Sequence, residues 1–280
     1  MESLEAELDR ARALDVAALA DAIESIGFEC TRCGACCKAV EGCEDDSADD
    51  ADGPDGADRA GYDHVATVFP DEVRRLQRAA GDASDHGDSG EGETLDTGEA
   101  GSGDGSEGDG RDGGYRYDWR DVARPMPYGL SEGADGPEGE TFEWALQVDD
   151  CGDCTFYAED DGVGRCTVHA DRPLVCRTYP FSVALGGTSQ PMGEAVDGEG
   201  MVRAHECEGL GRDIPRADAE ELAAALKERA IRELEEAIGV REAYRPADVD
   251  GVVVHDSEGA KRPDGTRIDG GDAGRSDRKP

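Results

Sequence analysis

Lysine is almost missing from this chain. Only four of its 29 basic residues are lysines (Lys38, Lys227, Lys261 and Lys279), against 67 acidic residues, which gives a formal net charge of −38. A surface this poor in cations repels the phosphates of nucleic acid and the headgroups of anionic lipid alike. Long apolar runs are missing too: no stretch approaches the roughly 18 apolar residues of a membrane span. The N-terminal MESLEAELDRARALD has neither the basic region nor the apolar core of a secretory signal. These absences predict a soluble, cytoplasmic protein with no nucleic-acid or membrane partner. Aromatic residues make up only 5% of the chain, so its core is expected to be modest and helped by a metal staple. No Ser-His-Asp set, catalytic carboxylate pair or nucleotide loop emerges. The run GSGDGSEGDG over 101–110 lacks the preceding strand and following helix that a phosphate-binding loop needs. A conventional hydrolase or kinase is disfavoured, and no catalytic residue is assigned.

The acids are spread through expected helices, loops and linkers rather than gathered in one patch. That distribution is read as adaptation to a salt-rich cytoplasm, as in a halophile, where ionic strength screens self-repulsion. The charge then describes the solvent more than the activity.

The apolar spacing of Val16, Leu19, Ala20, Ile23 and Ile26, after Asp15 as N-cap and before Gly27, predicts a helix. An upstream turn or two carries Leu4, Leu8 and Ala11 on one face. Tyr62–Phe69 suits a short strand, and Pro70 opens a short helix through Val73 and Leu76. Phe142, Trp144, Leu146 and Val148 alternate as in a half-buried strand, and Phe181–Leu185 is strand-like. Leu222, Ala225, Leu226, Ile231, Leu234 and Ile238 predict a helix from Ala217 to Ile238. Residues 44–60 and 81–114 are acid- and glycine-rich and read as disordered insertions. The predicted class is α+β: a small, irregular, cysteine-rich, metal-stapled domain with a few helices and short strands. Its segments are an N-terminal helical part (1–28), a cysteine-cluster domain (29–216), a C-terminal helical part (217–250) and a disordered polar tail (256–280).

What the chain does have is ten cysteines: Cys30, Cys33, Cys36, Cys37, Cys43, Cys151, Cys154, Cys166, Cys176 and Cys207. A disulfide framework needs an oxidising compartment, for which nothing in the sequence speaks. Scattered buried thiols do not explain why five of the ten fall between residues 30 and 43. Metal coordination explains both. A Cys-x-x-Cys turn brings two thiolates onto one centre with backbone amides facing the sulfurs. Cys30, Cys33 and Cys36 take that step twice, the run that supplies three ligands of a four-iron cluster in bacterial ferredoxins, with Gly34 free to adopt a positive φ. Two pairs, Cys33/Cys36 and Cys151/Cys154, would equally satisfy zinc. Spacing alone leaves zinc and iron–sulfur both open. His169 and His205, close to Cys166 and Cys207, are read as neighbours of the ligands or surface residues, and His86 and His255 as members of mobile polar segments.

Around these cysteines the residues Cys154-Thr155-Phe156-Tyr157, Cys166-Thr167-Val168-His169, Arg172-Pro173-Leu174-Val175-Cys176-Arg177-Thr178-Tyr179-Pro180-Phe181 and Cys207-Glu208-Gly209-Leu210-Gly211 join Cys30-x-x-Cys33-Gly34-x-Cys36-Cys37. In combination they resemble the CxxCxxCC zinc- or iron-chelating domain family, the YkgJ-like cysteine-cluster proteins, which include relatives of the bacterial flagellin lysine N-methylase. The resemblance spans roughly 27–212. It implies eight metal ligands, falling on Cys30, Cys33, Cys36, Cys37, Cys154, Cys166, Cys176 and Cys207, with Cys43 and Cys151 outside the pattern. It also implies iron over zinc, and a protein-lysine methylase-related or iron–sulfur oxidoreductase-like role. Arg172 and Arg177 are expected beside the anionic centre, where positive charge lowers thiol pKa. Tyr179 and Phe181 are expected to shield it.

The leading expectation is therefore a protein carrying one or two iron–sulfur clusters, 4Fe–4S by the ferredoxin-like run, used in redox or methyl-transfer chemistry. A zinc-stapled, non-catalytic module offering its C-terminal helix to a protein partner is the alternative. Metal sequestration or delivery is a third.

Overall fold

The computed structural model of the 280-residue chain describes residues 3–39, 65–79, 117–134, 136–185, 195–198, 200–247 and 249–268. Cys43, the expected insertions at 44–60 and 81–114, and the last residues of the expected tail lie outside them. The architecture is α+β, with two hydrophobic cores meeting at the cysteines.

The first core is mostly helical. In α1 (Leu4–Ala13) the Ser3 hydroxyl caps the N-terminus by accepting from the Ala6 amide at 3.3 Å. In α2 (Val16–Ile26) the Asp15 carboxylate accepts from the amides of Ala17 and Ala18 at 2.8 and 3.1 Å, as its N-cap position predicts. Both lie against the long α6 (Arg216–Ala243), whose buried face runs through Ala219, Ala223, Leu226, Ala230 and Leu234. Alanine at three of those five positions lets the helix axes approach closely. The apolar stripe expected to be free for a partner is thus covered by the chain's own α1 and α2. Arg216 bonds Asp21 and Glu24 on α2 as well as Glu220 on its own helix. A three-stranded sheet of β8 (Phe181–Val183), β10 (Val202–His205) and β9 (Ala195–Asp197), in that spatial order, closes this core.

The second core collects short elements. α3 (Pro70–Arg78) starts at Pro70, and α4 (Trp119–Val122) follows the long undescribed stretch. Strands β1 (Thr67–Val68), β5 (Trp144–Leu146) and β2 (Ala123–Pro125) form an antiparallel sheet with β5 central. Beside it stands a four-stranded sheet in the order β12 (Gly259–Lys261), β11 (Val252–Asp256), β4 (Gly136–Thr141), β3 (Leu130–Gly133), with β11 parallel to β4. The hairpin of β6 (Tyr157–Asp160) and β7 (Val163–Cys166) and the short α5 (Leu174–Thr178) carry two of the cysteines into this region.

The sheet corrects the expectation of a disordered tail from residue 256. The physical reason is a buried charge network. Lys261 is 2% exposed and its ammonium lies 2.7 Å from the buried Asp256 and 2.7 Å from Glu258. Asp256 also accepts from the Trp144 indole at 2.9 Å, and Arg74 of α3 grips Glu258 with both terminal nitrogens. His255, expected in a mobile segment, is 1% exposed, with its Nε2 3.2 Å from Glu140 and its ring stacked on Phe142. Helix α6 also runs past the expected end at Ile238, to Ala243, with Gly239 packed close under Ser257 of the β11–β12 turn. Strand β1 covers only two residues of the expected Tyr62–Phe69, of which 62–64 lie outside the described residues. Among the described residues no helix is long and apolar enough to cross a membrane.

Two outcomes follow. Replacing Lys261 with Ala strands the Asp256 carboxylate in the core and should cost about 3–5 kcal/mol, measured by chemical denaturation. Glu258 is held down to about 2, first by its hydrogen bonds to Arg74 and then by Lys261. Its contribution is therefore fully present above the unfolded carboxylate value of about 4.3 and disappears as pH falls toward 2. The stability gap between the wild type and Glu258→Gln should close over that interval.

Candidate metal centre

The first four cysteines leave α2 on a loop that is strapped on both sides. Phe28 bridges Leu210, the Glu29 amide donates to the Gly209 carbonyl at 3.0 Å, and the Gly211 amide donates to the Gly27 carbonyl at 3.0 Å. Cys30 is thereby brought next to the segment of Cys207. A side chain at Gly209 would run into the Glu29 carbonyl, so the straps need glycine there. Farther along, the Gly164 amide of β7 donates to the Arg32 carbonyl at 2.8 Å, and the Cys154 amide donates to the Cys37 carbonyl at 2.8 Å. Gly34 has φ +81°, as its place in the loop predicts, and a Cβ there would overlap the Tyr157 ring.

The remaining ligand candidates arrive from four directions. Cys154 follows a tight turn in which Asp149 accepts from the amides of Cys151 and Asp153. Cys166 ends β7 opposite Tyr157, Cys176 sits in α5, and Cys207 follows β10 with the Gly209 amide 3.4 Å from its sulfur. The eight cysteines named as ligands are all free thiols, whereas Cys151, outside that set, is disulfide-bonded. The expectation of no disulfide is thus corrected at Cys151.

The eight thiols lie close enough to influence one another's ionisation. Cys36 and Cys37 stand 3.8 Å apart, sulfur to sulfur. Donation from the Cys37 thiol, supported by the Arg172 charge, brings Cys36 down to about 7, while its partner is pushed well up. Burial raises Cys154 to about 11. Cys176 is raised by burial and then by the charges of Cys154, Cys166 and Cys36. Cys207 is raised by burial and then by Cys36, Cys33 and Cys30. Burial and neighbouring thiolate charge both disfavour the ionised form of these thiols. Soft thiolates suit zinc or iron–sulfur centres. Among the described residues no three His, Cys, Asp or Glu side chains close on one point.

The expected companions divide. Arg172 is the arginine whose charge reaches the thiols, lowering Cys36 and Cys176, while Arg177 is exposed. Tyr179 is pushed up to about 12 by burial and by Cys207 and Cys36, so it does stand against the thiols. Phe181 is fully buried and meets Phe28 edge-on at 5.7 Å, bracing the loop from the first core. His169 is exposed, and His205 pairs its Nε2 with the Ser182 hydroxyl at 2.9 Å inside the first core. A cavity of about 430 Å³ between Phe69, Phe142, Trp144 and α6 has none of the cysteines in its lining.

Sequence reasoning missed Glu72. It is 2% exposed on α3, and one oxygen accepts from the Phe69 amide at 3.2 Å while the other accepts from the Leu174 amide at 2.9 Å. It therefore caps the helix that carries Cys176. Arg75, one turn on, donates to the carbonyls of Asp171 and Arg172 and holds the approach to the same helix. Among so many acids nothing marks Glu72 in the sequence except its place three residues after Phe69, as N3 of a helix opened by Pro70.

Residues 131–208 match the model of the CxxCxxCC family, described as a "Putative zinc- or iron-chelating domain". The match supports metal chelation, by zinc or iron, and takes in Cys154, Cys166, Cys176 and Cys207, whereas Cys30, Cys33, Cys36 and Cys37 precede it. No curated protein and no solved structure matches the chain.

Glu72→Ala leaves two buried amides without acceptors, which should cost about 1–3 kcal/mol in stability. It should also speed alkylation of Cys176 in the metal-free protein, read by peptide mass mapping.

Proposed function

We propose that this chain is an iron–sulfur protein, with Cys30, Cys33, Cys36, Cys37, Cys154, Cys166, Cys176 and Cys207 as ligands and a redox role. The observation that supports the reading is that eight free thiols lie on five segments tied to one another by backbone bonds, Cys37 to Cys154, Tyr157 to Cys166, and residues 27–29 to 209–211. Iron–sulfur is favoured over zinc by the Cys30, Cys33, Cys36 run, which gives three donors from one short loop. When bound, the cluster supplies one-electron chemistry. The chain's own part is to hold the thiolates, offset their charge with Arg172 and cover one side with Tyr179. The half-exposed position of Cys33 and Cys207 suits exchange of electrons with a partner. Methyl transfer to a protein lysine rests on family resemblance alone. The zinc-stapled module that presents α6 to a partner is disfavoured, since Leu226 and Leu234 of that helix are buried against the rest of the chain.

The test is purification without oxygen, in high salt to screen the −38 charge, followed by assay of iron, sulfide and zinc and a visible spectrum. A coloured protein with a broad visible band and stoichiometric sulfide is expected. A colourless protein with bound zinc and no sulfide would overturn the iron–sulfur reading. Cys176→Ala should lose metal and fold together, because binding and folding are coupled. Full metal content in that variant would remove Cys176 from the ligand set.

A further inference from the structure

Resting on the metal-binding reading, we infer that the eight thiols form two separate four-cysteine sites, divided between the adjacent residues Cys36 and Cys37. The inner site is Cys37, Cys154, Cys166 and Cys176, and the outer site is Cys30, Cys33, Cys36 and Cys207. Each takes a thiophilic cation, zinc or iron.

Packing carries the division. Cys154 is a buried member of the second core, and Cys37, Cys166 and Cys176 are packed against that same core. None of the other four belongs to it. The outer thiols instead hang from residues of the first core: Phe28 precedes Cys30, Leu210 follows Cys207, and both of these flanking side chains pack into that core. Apart from the Gly164 amide of β7, which crosses to the Arg32 carbonyl, the backbone bonds around the cysteines divide the same way. Cys37 is tied to Cys154 through the amide of one and the carbonyl of the other, and Tyr157, which donates its amide to the Cys154 carbonyl, pairs with Cys166 across the hairpin. The straps between residues 27–29 and 209–211 join Cys30 to Cys207.

Chain geometry supplies the reason for a vicinal pair. Cys36 is exposed and Cys37 half-buried, so one short loop can serve both the solvent-facing and the core-facing set. Exposure also separates the roles. Cys30 and Cys36 of the outer set are exposed, which suits a centre that meets other molecules. The inner donors come from a loop, a turn, a hairpin and a helix of the second core, so an ion there ties four elements into one fold.

The deciding experiment is alkylation of the full-length, metal-loaded protein with iodoacetamide, read by peptide mass mapping beside metal analysis. In the wild type, metal is bound and all eight cysteines are protected. In Cys207→Ser, the division requires partial loss of metal, with Cys30, Cys33 and Cys36 becoming reactive while Cys37, Cys154, Cys166 and Cys176 stay protected. Cys30→Ser, at an exposed position, should make Cys33, Cys36 and Cys207 reactive with the inner four protected, and repeats the test should Cys207→Ser fail to fold. Cys166→Ser should expose Cys37, Cys154 and Cys176 and lose the fold of the second core. If Cys207→Ser and Cys30→Ser each unprotect all seven remaining thiols and release all metal, a single shared centre replaces the two sites while metal binding stands. If the wild type binds neither zinc nor iron and all eight cysteines react, both readings fall together.

Discussion

Thiols that ionise side by side in a partly dry seam repel one another, and the remainder of the fold has to hold them there. Burial raises Cys154, Cys176 and Cys207, and each ionised neighbour raises the others further. One arginine, Arg172, offsets only part of that charge. A divalent cation or a cluster held there, as proposed above, would offset much more. The chain around the cysteines is built of loops, a tight turn and a five-residue helix rather than long ladders of backbone hydrogen bonds.

The scaffold answers the same problem with rigid charge networks of its own. Glu72 is buried to cap α5 and Arg75 secures the segment before it, so α3 acts as a clamp on the position of Cys176. Asp256 and Lys261 neutralise each other beneath the two tryptophans, with the ammonium 5.3 Å from the Trp119 ring. Arg229, 2% exposed, donates to the Thr178 hydroxyl at 3.0 Å and ties the end of α5 to α6. In a protein of −38, the two buried cations among these, Lys261 and Arg229, each stand against an acid, Asp256 and Glu233.

Local signals were readable. Asp15 and Gly27 bound α2, Pro70 opens α3, and the apolar spacing of α6 is plain, because caps and periodicity act over a few residues. Spacing and resemblance together named eight cysteines, and all eight are free thiols. The strand pair β11–β12 was not. Its order comes from β4, more than a hundred residues earlier, and from Lys261 and His255, polar residues whose burial depends on partners such as Asp256 and Glu140. Phe142 looked like the start of an inward-facing alternation, yet it is 47% exposed and stacks on His255 instead. Glu72 stayed hidden for a similar reason: one acid among 67 shows its role only once α5 is placed against it.

The bridge between Phe28 and Leu210 has a consequence for the order of synthesis. A ribosome releases the chain from its N-terminus, so Cys30, Cys33 and Cys36 emerge long before the segment that must lie beside them. Cys176 has already appeared when Cys207 is still to come. For that interval the loop of Cys30, Cys33, Cys36 and Cys37 is without the strap that Gly209, Leu210 and Gly211 later supply.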